Sequence, residues 1–109
     1  MKLEIGKYSF EVELENNATA LIGLLPMSIE MEDLNGNEKY FYLSDSLPTN
    51  TENVGTINAG DIMLYGSDCI VLFYETFKTS YSYTKIGHID DVTGLTDAVG
   101  RGNVTVTFE

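Results

Sequence analysis

The stretch Ile57–Phe77, INAGDIMLYGSDCIVLFYETF, decides the fold. It reads as two strands, Asp61–Tyr65 and Cys69–Tyr74, joined by the turn Gly66-Ser67-Asp68. Side chains alternate sides along a strand. Ile62 and Leu64 therefore point one way, Met63 and Tyr65 the other. Cys69, Val71 and Phe73 alternate with Ile70, Leu72 and Tyr74 in the same manner. A strand apolar on both faces needs cover on both, so this hairpin is expected at the centre of the core.

Outside the hairpin the pattern is that of half-exposed antiparallel strands. In Lys2–Ile5 and Tyr8–Leu14, Leu3 and Ile5, then Tyr8, Phe10, Val12 and Leu14, form apolar series. Glu4, Glu11 and Glu13 take the opposite face, and Gly6-Lys7 makes the turn. A short helix of about two and a half turns is expected next. Asn16 or Asn17 is its N-cap, Leu21, Leu24 and Leu25 its apolar face, and Pro26 its end. Met27, Ile29 and Met31 alternate inward. Leu34-Asn35-Gly36-Asn37 is the strongest turn signal, because Asn-Gly supplies the positive φ angles of a type I′ hairpin. Lys39–Leu43 returns as a strand, with Tyr40 and Tyr42 on one face and Phe41 and Leu43 on the other.

Ser44–Asn58 is a long polar connection, expected to cross the surface to the far edge. After the central hairpin, Glu75–Ser80 is turn-like around Phe77. Ser80–Ile86 is a strand on which Tyr81 and Tyr83 face together. Val92–Val99 is a second short helix with Leu95 and Val99 inward, ended by Gly100-Arg101-Gly102. Val104, Val106 and Phe108 mark the last strand. The expectation is one all-β domain over residues 1–109, a barrel or sandwich of about eight strands with two short helices.

Seventeen acidic against six basic residues give a net charge of −11. That balance argues against nucleic acid, whose phosphates need clustered Lys and Arg, and against anionic membrane surfaces. The lone cysteine, Cys69, excludes an internal disulfide and reads as a small buried hydrophobe. No apolar run approaches the ~20 residues of a membrane-spanning helix. The start MKLEIG carries no signal-peptide pattern, which makes the cytoplasm the default location.

Few residues point to chemistry. His88 is the only histidine, beside Asp90 and Asp91, and reads as an exposed turn residue rather than a general base. No zinc spacing, calcium loop, phosphate loop or nucleophile elbow occurs, and no metal or other cofactor is expected. Glu30, Glu32 and Asp33 read as a solvated strand edge. The tyrosines are the suggestive feature. Tyr40, Tyr42, Tyr65, Tyr74, Tyr81 and Tyr83 all lie on predicted strands. A tyrosine gives large contact area and a hydrogen-bonding tip, so several along one groove would make a binding surface.

Three stretches together resemble the small prokaryotic cyclophilin-like proteins. They are Leu34-Asn35-Gly36-Asn37-Glu38-Lys39-Tyr40, Gly60–Gly66 running into Leu72-Phe73-Tyr74, and Ser80–Gly87. The resemblance covers nearly the whole chain and rests on order and spacing. The run Ile86-Gly87-His88-Ile89, a Gly-Leu-containing helix and a final strand are also similar to the C-terminal part of true cyclophilins. The resemblance implies a closed β-barrel with a helix near each end. True cyclophilins isomerise prolyl bonds with an arginine in a Phe-His-Arg type strand of their first half. This chain has no arginine before Arg101 and no histidine before His88, so no catalytic residue carries over. The small family brings no established activity.

The expected function is a non-catalytic binding module for a peptide segment or a small apolar ligand. Met63, Tyr65, Phe73, Tyr81 and Tyr83 are the candidate binding residues, on the less buried face of the wall. A weak prolyl isomerase is the enzyme alternative, with Lys39, Lys85 or a tyrosine hydroxyl as substitute donor. A third reading has the acidic strands Glu11–Glu15 and Glu30–Asp33 docking a basic partner. The oligomeric state stays open.

Overall fold

In the computed structural model, which describes residues 1–109, the expected strands close into a barrel. The strands are β1 (Lys2–Ile5), β2 (Tyr8–Leu14), β3 (Met27–Leu34), β4 (Glu38–Tyr42), β5 (Glu52–Asn53), β6 (Thr56–Ile57), β7 (Asp61–Tyr65), β8 (Cys69–Phe73), β9 (Phe77–Lys78), β10 (Ser82–Ile89) and β11 (Val104–Phe108). A 3₁₀ turn at Asn16–Ala18 leads into α1 (Thr19–Ile22), and α2 is Leu95–Val99. The barrel order is β2-β1-β11-β3-β4-β8-β7-β10, every pairing is antiparallel, and β10 closes the ring on β2. Closure removes the open edges that an eight-stranded sheet would otherwise expose.

The central hairpin has the two-faced packing its sequence demands. Ile62, Leu64, Ile70 and Leu72 enter the barrel core with Leu3, Ile5, Phe10, Met31, Val106 and Phe108. Met63, Cys69, Val71 and Phe73 form a second cluster outside the wall. That cluster is covered by Val54 and Ile57 of the long connection and by Phe77. The Ser44–Asn58 crossover thus folds over the outer face. It contributes β5, paired with β10, and β6, paired with β9.

At the tight turn, Asn35 and Gly36 have φ of 58° and 67°, and the Asn37 N–H donates to the Leu34 carbonyl. At the closing seam, Gly87 of β10 pairs with Leu14 of β2. A Cβ on Gly87 would lie 2.5 Å from the Glu13 carbonyl oxygen, so only glycine allows this approach.

The first helix is shorter than expected. No side chain caps it. Asn17 instead donates its side-chain amide to the Lys85 carbonyl of β10 at 3.1 Å. Only Leu21 is fully buried on it; Leu24 lies beyond the helix and is exposed. The strand expected to stop at Ile86 continues to Ile89, through an irregularity between Lys85 and Gly87. Pairing with β2 and β7 supplies hydrogen bonds that the local Gly-His-Ile sequence does not signal. The second helix begins at Leu95, not Val92, and buries Leu95 and Val99 as expected. No helix is long and apolar enough to cross a membrane.

Candidate functional site

The outer face of β4, β8 and β7 carries three rungs set by strand register. Tyr42 is opposite Cys69, which is opposite Tyr65. Tyr40 is opposite Val71, which is opposite Met63. Glu38 is opposite Phe73. Because side chains alternate, all of these point away from the barrel core. Short Cys69 and Val71 form a floor between the taller tyrosines on either side. The resulting hollow holds about 240 Å³ and is lined by Leu34, Glu38, Tyr40, Tyr42, Tyr65, Cys69 and Val71.

A second hollow of about 450 Å³ continues from it. The two share Leu34, Glu38 and Tyr65, and the second adds Phe77, Tyr81 and Tyr83 beneath the β9–β10 loop. The tyrosines are locked against one another, edge to face for Tyr65–Tyr81 and Tyr40–Tyr42 and tilted for Tyr65–Tyr83. Tyr65 stands 6.0 Å from Tyr81 and 5.6 Å from Tyr83, centroid to centroid, and Tyr40 stands 5.9 Å from Tyr42. Such contacts hold rings in place beyond simple burial. Leu34, Tyr42, Tyr65 and Tyr81 are all exposed.

Glu38 is the carboxylate common to both hollows, and no hydrogen bond or ion pair engages its side chain. Burial, and then the nearby Asp33 carboxylate, raise its pKa above the ordinary value. Cys69 is buried in the floor, and burial pushes its thiol up to about 11, so it is a packing group rather than a nucleophile.

The five sequence candidates divide by depth. Tyr65 and Tyr81 stand exposed in the groove. Met63, Phe73 and Tyr83 lie on the same outer face but are 2%, 0% and 4% exposed. Expecting all five on a less buried face is corrected: Val54, Ile57 and Phe77 cover that part of the wall. Phe73 supports Tyr83 and Phe77 from below, at 5.6 and 5.8 Å between ring centroids. Met63 reaches a separate polar depression of about 490 Å³ that also contains Asp61, Lys85 and His88. Sequence reasoning missed Glu38 and Leu34 as lining residues. Glu38 shares strand parity with Tyr40 and Tyr42, a signal that was available in EKYFY.

Other charged groups fall elsewhere. Glu13, His88 and Asp90 lie close together, all exposed, with His88 Nε2 3.8 Å from Glu13. The acidic runs on β2 and β3 are separated by β1 and β11, whose outer faces bring the Lys2–Glu4 pair, Thr105 and Thr107 between them. Asp33 is not simply a solvated edge residue, since it is paired with Lys39 at 3.1 Å.

A family model described as the cyclophilin-like family matches residues 3–109. The chain belongs to the cyclophilin-like family. No curated protein and no solved structure matches it.

Within this cyclophilin-like barrel the substitute donors named for isomerase chemistry are unequally available. Lys39 is completely buried, and its three protons face the Gly100 and Gly102 carbonyls and Asp33, so it cannot serve at a groove wall. Lys85 pairs with Glu52 at 3.5 Å and lies outside the aromatic groove. Arg101 lines a different depression with Asp33, Tyr74 and Asp97. Of the donors named, tyrosine hydroxyls line the groove, and Lys78 joins them at the second hollow.

Proposed function

We propose that this cyclophilin-like protein is a non-catalytic binding module that takes a peptide segment in the aromatic groove. The observation that carries the reading is the continuous exposed run of Leu34, Tyr42, Tyr65 and Tyr81 across two joined hollows. Contiguous exposed apolar surface on a small acidic protein marks an interaction site. The groove's shape favours a peptide over a small apolar ligand. Small-molecule sites enclose most of their ligand, whereas this surface is long and open on one side. An extended chain can lie along it, with alternate side chains dropping into the two hollows.

Neither Lys39, which is buried and fully paired, nor Lys85, which lies outside the groove, offers the donor that isomerisation needs; Lys78 at the rim of the second hollow is the one cation the groove holds. Prolyl rotation has a barrier of ~20 kcal/mol, which falls only when a placed donor weakens amide resonance. The experiment is exchange NMR of short X–Pro peptides with the protein. Shifts at Tyr65 and Tyr81, with isomer exchange unchanged, support a binding module. Accelerated exchange overturns the non-catalytic reading in favour of isomerase. No shift at any groove residue across a peptide panel removes the groove reading.

A further inference from the structure

The smaller hollow has a chemistry that the peptide reading alone does not use. Tyr42 and Tyr65 sit two strands apart on one rung, with Cys69 between them. Two strand spacings put their backbones ~10 Å apart. A group seated over the Cys69–Val71 floor lies between Tyr40 and Tyr42 on one strand and Tyr65 on the other, with Glu38 at one end of the same hollow; aromatic rings attract a cation within about 6 Å. Tyr40 stands edge-on to Tyr42 on the same side of the sheet. Glu38 lines the same hollow, with no cation of the protein paired to it. No lysine or arginine is among the residues of this hollow; Lys78, in the adjoining one, forms no ion pair.

We infer that the Tyr40–Tyr42–Tyr65 hollow receives the basic side chain, lysine or arginine, of a bound peptide, with Glu38 as its counter-ion. The inference rests on the peptide-groove reading and specifies which peptides the groove selects. Three features converge on it. Three tyrosine rings border the hollow, and the Glu38 carboxyl stands at one end of it. The volume of about 240 Å³ suits one long side chain rather than a folded ligand. The net charge of −11 draws cationic segments toward the surface. Burial and Asp33 both disfavour ionised Glu38 in the free protein, and an arriving cation offsets both.

The test is an NMR titration with two acetylated pentapeptides that differ at one central position, arginine or citrulline. Citrulline keeps the shape and removes the charge. The expected result is that the arginine peptide moves the ring resonances of Tyr40, Tyr42 and Tyr65 and binds about tenfold more tightly than the citrulline peptide. Glu38→Gln should remove most of that difference. Glu11→Gln, at an exposed carboxylate on β2 away from the hollow, controls for net charge and should leave the preference intact. Equal affinity for both peptides at the groove overturns the cation inference while leaving the groove reading standing. Equal loss in Glu38→Gln and Glu11→Gln also overturns it, because general attraction then explains the preference. Shifts from neither peptide at the groove sink both readings together.

Discussion

The Lys39 ammonium lies 3.1 Å from the Asp33 carboxylate with none of its side chain exposed. Its other two protons go to the Gly100 and Gly102 carbonyls at 3.0 and 2.6 Å, so all three donors are used. The Tyr74 hydroxyl donates to the same Asp33 oxygen, and its ring lies 5.4 Å from the ammonium. One charge thereby ties the β3–β4 hairpin to the loop between α2 and β11.

Removing that charge should be expensive. Lys39→Met keeps the aliphatic length but leaves two loop carbonyls and a carboxylate without their donor. We expect a loss of about 3 kcal/mol or more in urea unfolding. Adding Asp33→Asn should recover part of it, with a coupling of about 1–3 kcal/mol. Strict additivity would show that the two groups do not act as a pair.

The cluster also sets the behaviour at both pH extremes. The Tyr74 hydroxyl, followed by Lys39 and the Gly36 N–H, holds the Asp33 carboxyl below its ordinary value. Its contribution is full above the usual carboxylate range and is lost as pH falls through the depressed value. Burial first, and then Asp33, raise the Tyr74 phenol. Its contribution is full below about pH 10 and is lost above it, where the unfolded chain ionises first. Urea midpoints against pH should show Asp33→Asn flattening the acid limb and Tyr74→Phe the alkaline limb. Unaltered limbs would count against the cluster.

Glu38 gives the opposite sign. Its folded pKa is raised by burial, so stability is greatest with the carboxyl protonated and falls as pH rises through the carboxylate range. Glu38→Gln is expected to raise the urea midpoint at pH 7 and leave it unchanged near pH 3. A lower midpoint at pH 7 would show that the carboxylate is a structural partner rather than a group held for a ligand.

The depth of the aromatic residues separates support from contact. Phe73→Ala opens a cavity in a fully buried position and should cost about 3–5 kcal/mol. Tyr65→Ala and Tyr81→Ala lie at the surface and should cost about 1 kcal/mol or less while weakening peptide binding. Thermal melts beside peptide titrations check both. Tyr83→Ala is a poor binding test, because Tyr83 is packed in the outer cluster and its loss mixes the two effects.

Gly87→Ala tests the seam. Its methyl would meet the Glu13 carbonyl, forcing β10 from β2 at a cost of about 1–3 kcal/mol. Hydrogen exchange should rise first at Glu15, whose N–H donates to the Ile86 carbonyl. Unchanged protection there would mean that the seam relaxes without opening.

Much of the fold was legible because it rests on local periodicity. The Asp61–Tyr65 and Cys69–Phe73 strands, the Asn35-Gly36 turn and the inward Val106 and Phe108 follow from alternation and turn chemistry. The helix at Thr19–Ile22 was overread because Leu24 matched a helical face that the chain leaves at Gly23. The candidate site was half legible. Tyr65 and Tyr81 are exposed as expected of a groove, but Phe73 and Tyr83 are buried, because alternation gives side, not depth. Lys39 shares parity with Phe41 and Leu43, so its inward direction was in the sequence. Its partners were not.

Alternation and turn-forming residues, read along the chain alone, determined which side chains face together and where the strands end. Those are short-range consequences of backbone geometry. Closure of β10 on β2, the long connection laid over Phe73, the union of Tyr42, Tyr65 and Glu38 in one hollow and the burial of Lys39 beneath Gly100 and Gly102 were decided only by the tertiary structure. Each depends on groups far apart in sequence, and periodicity carries no information about which strands become neighbours.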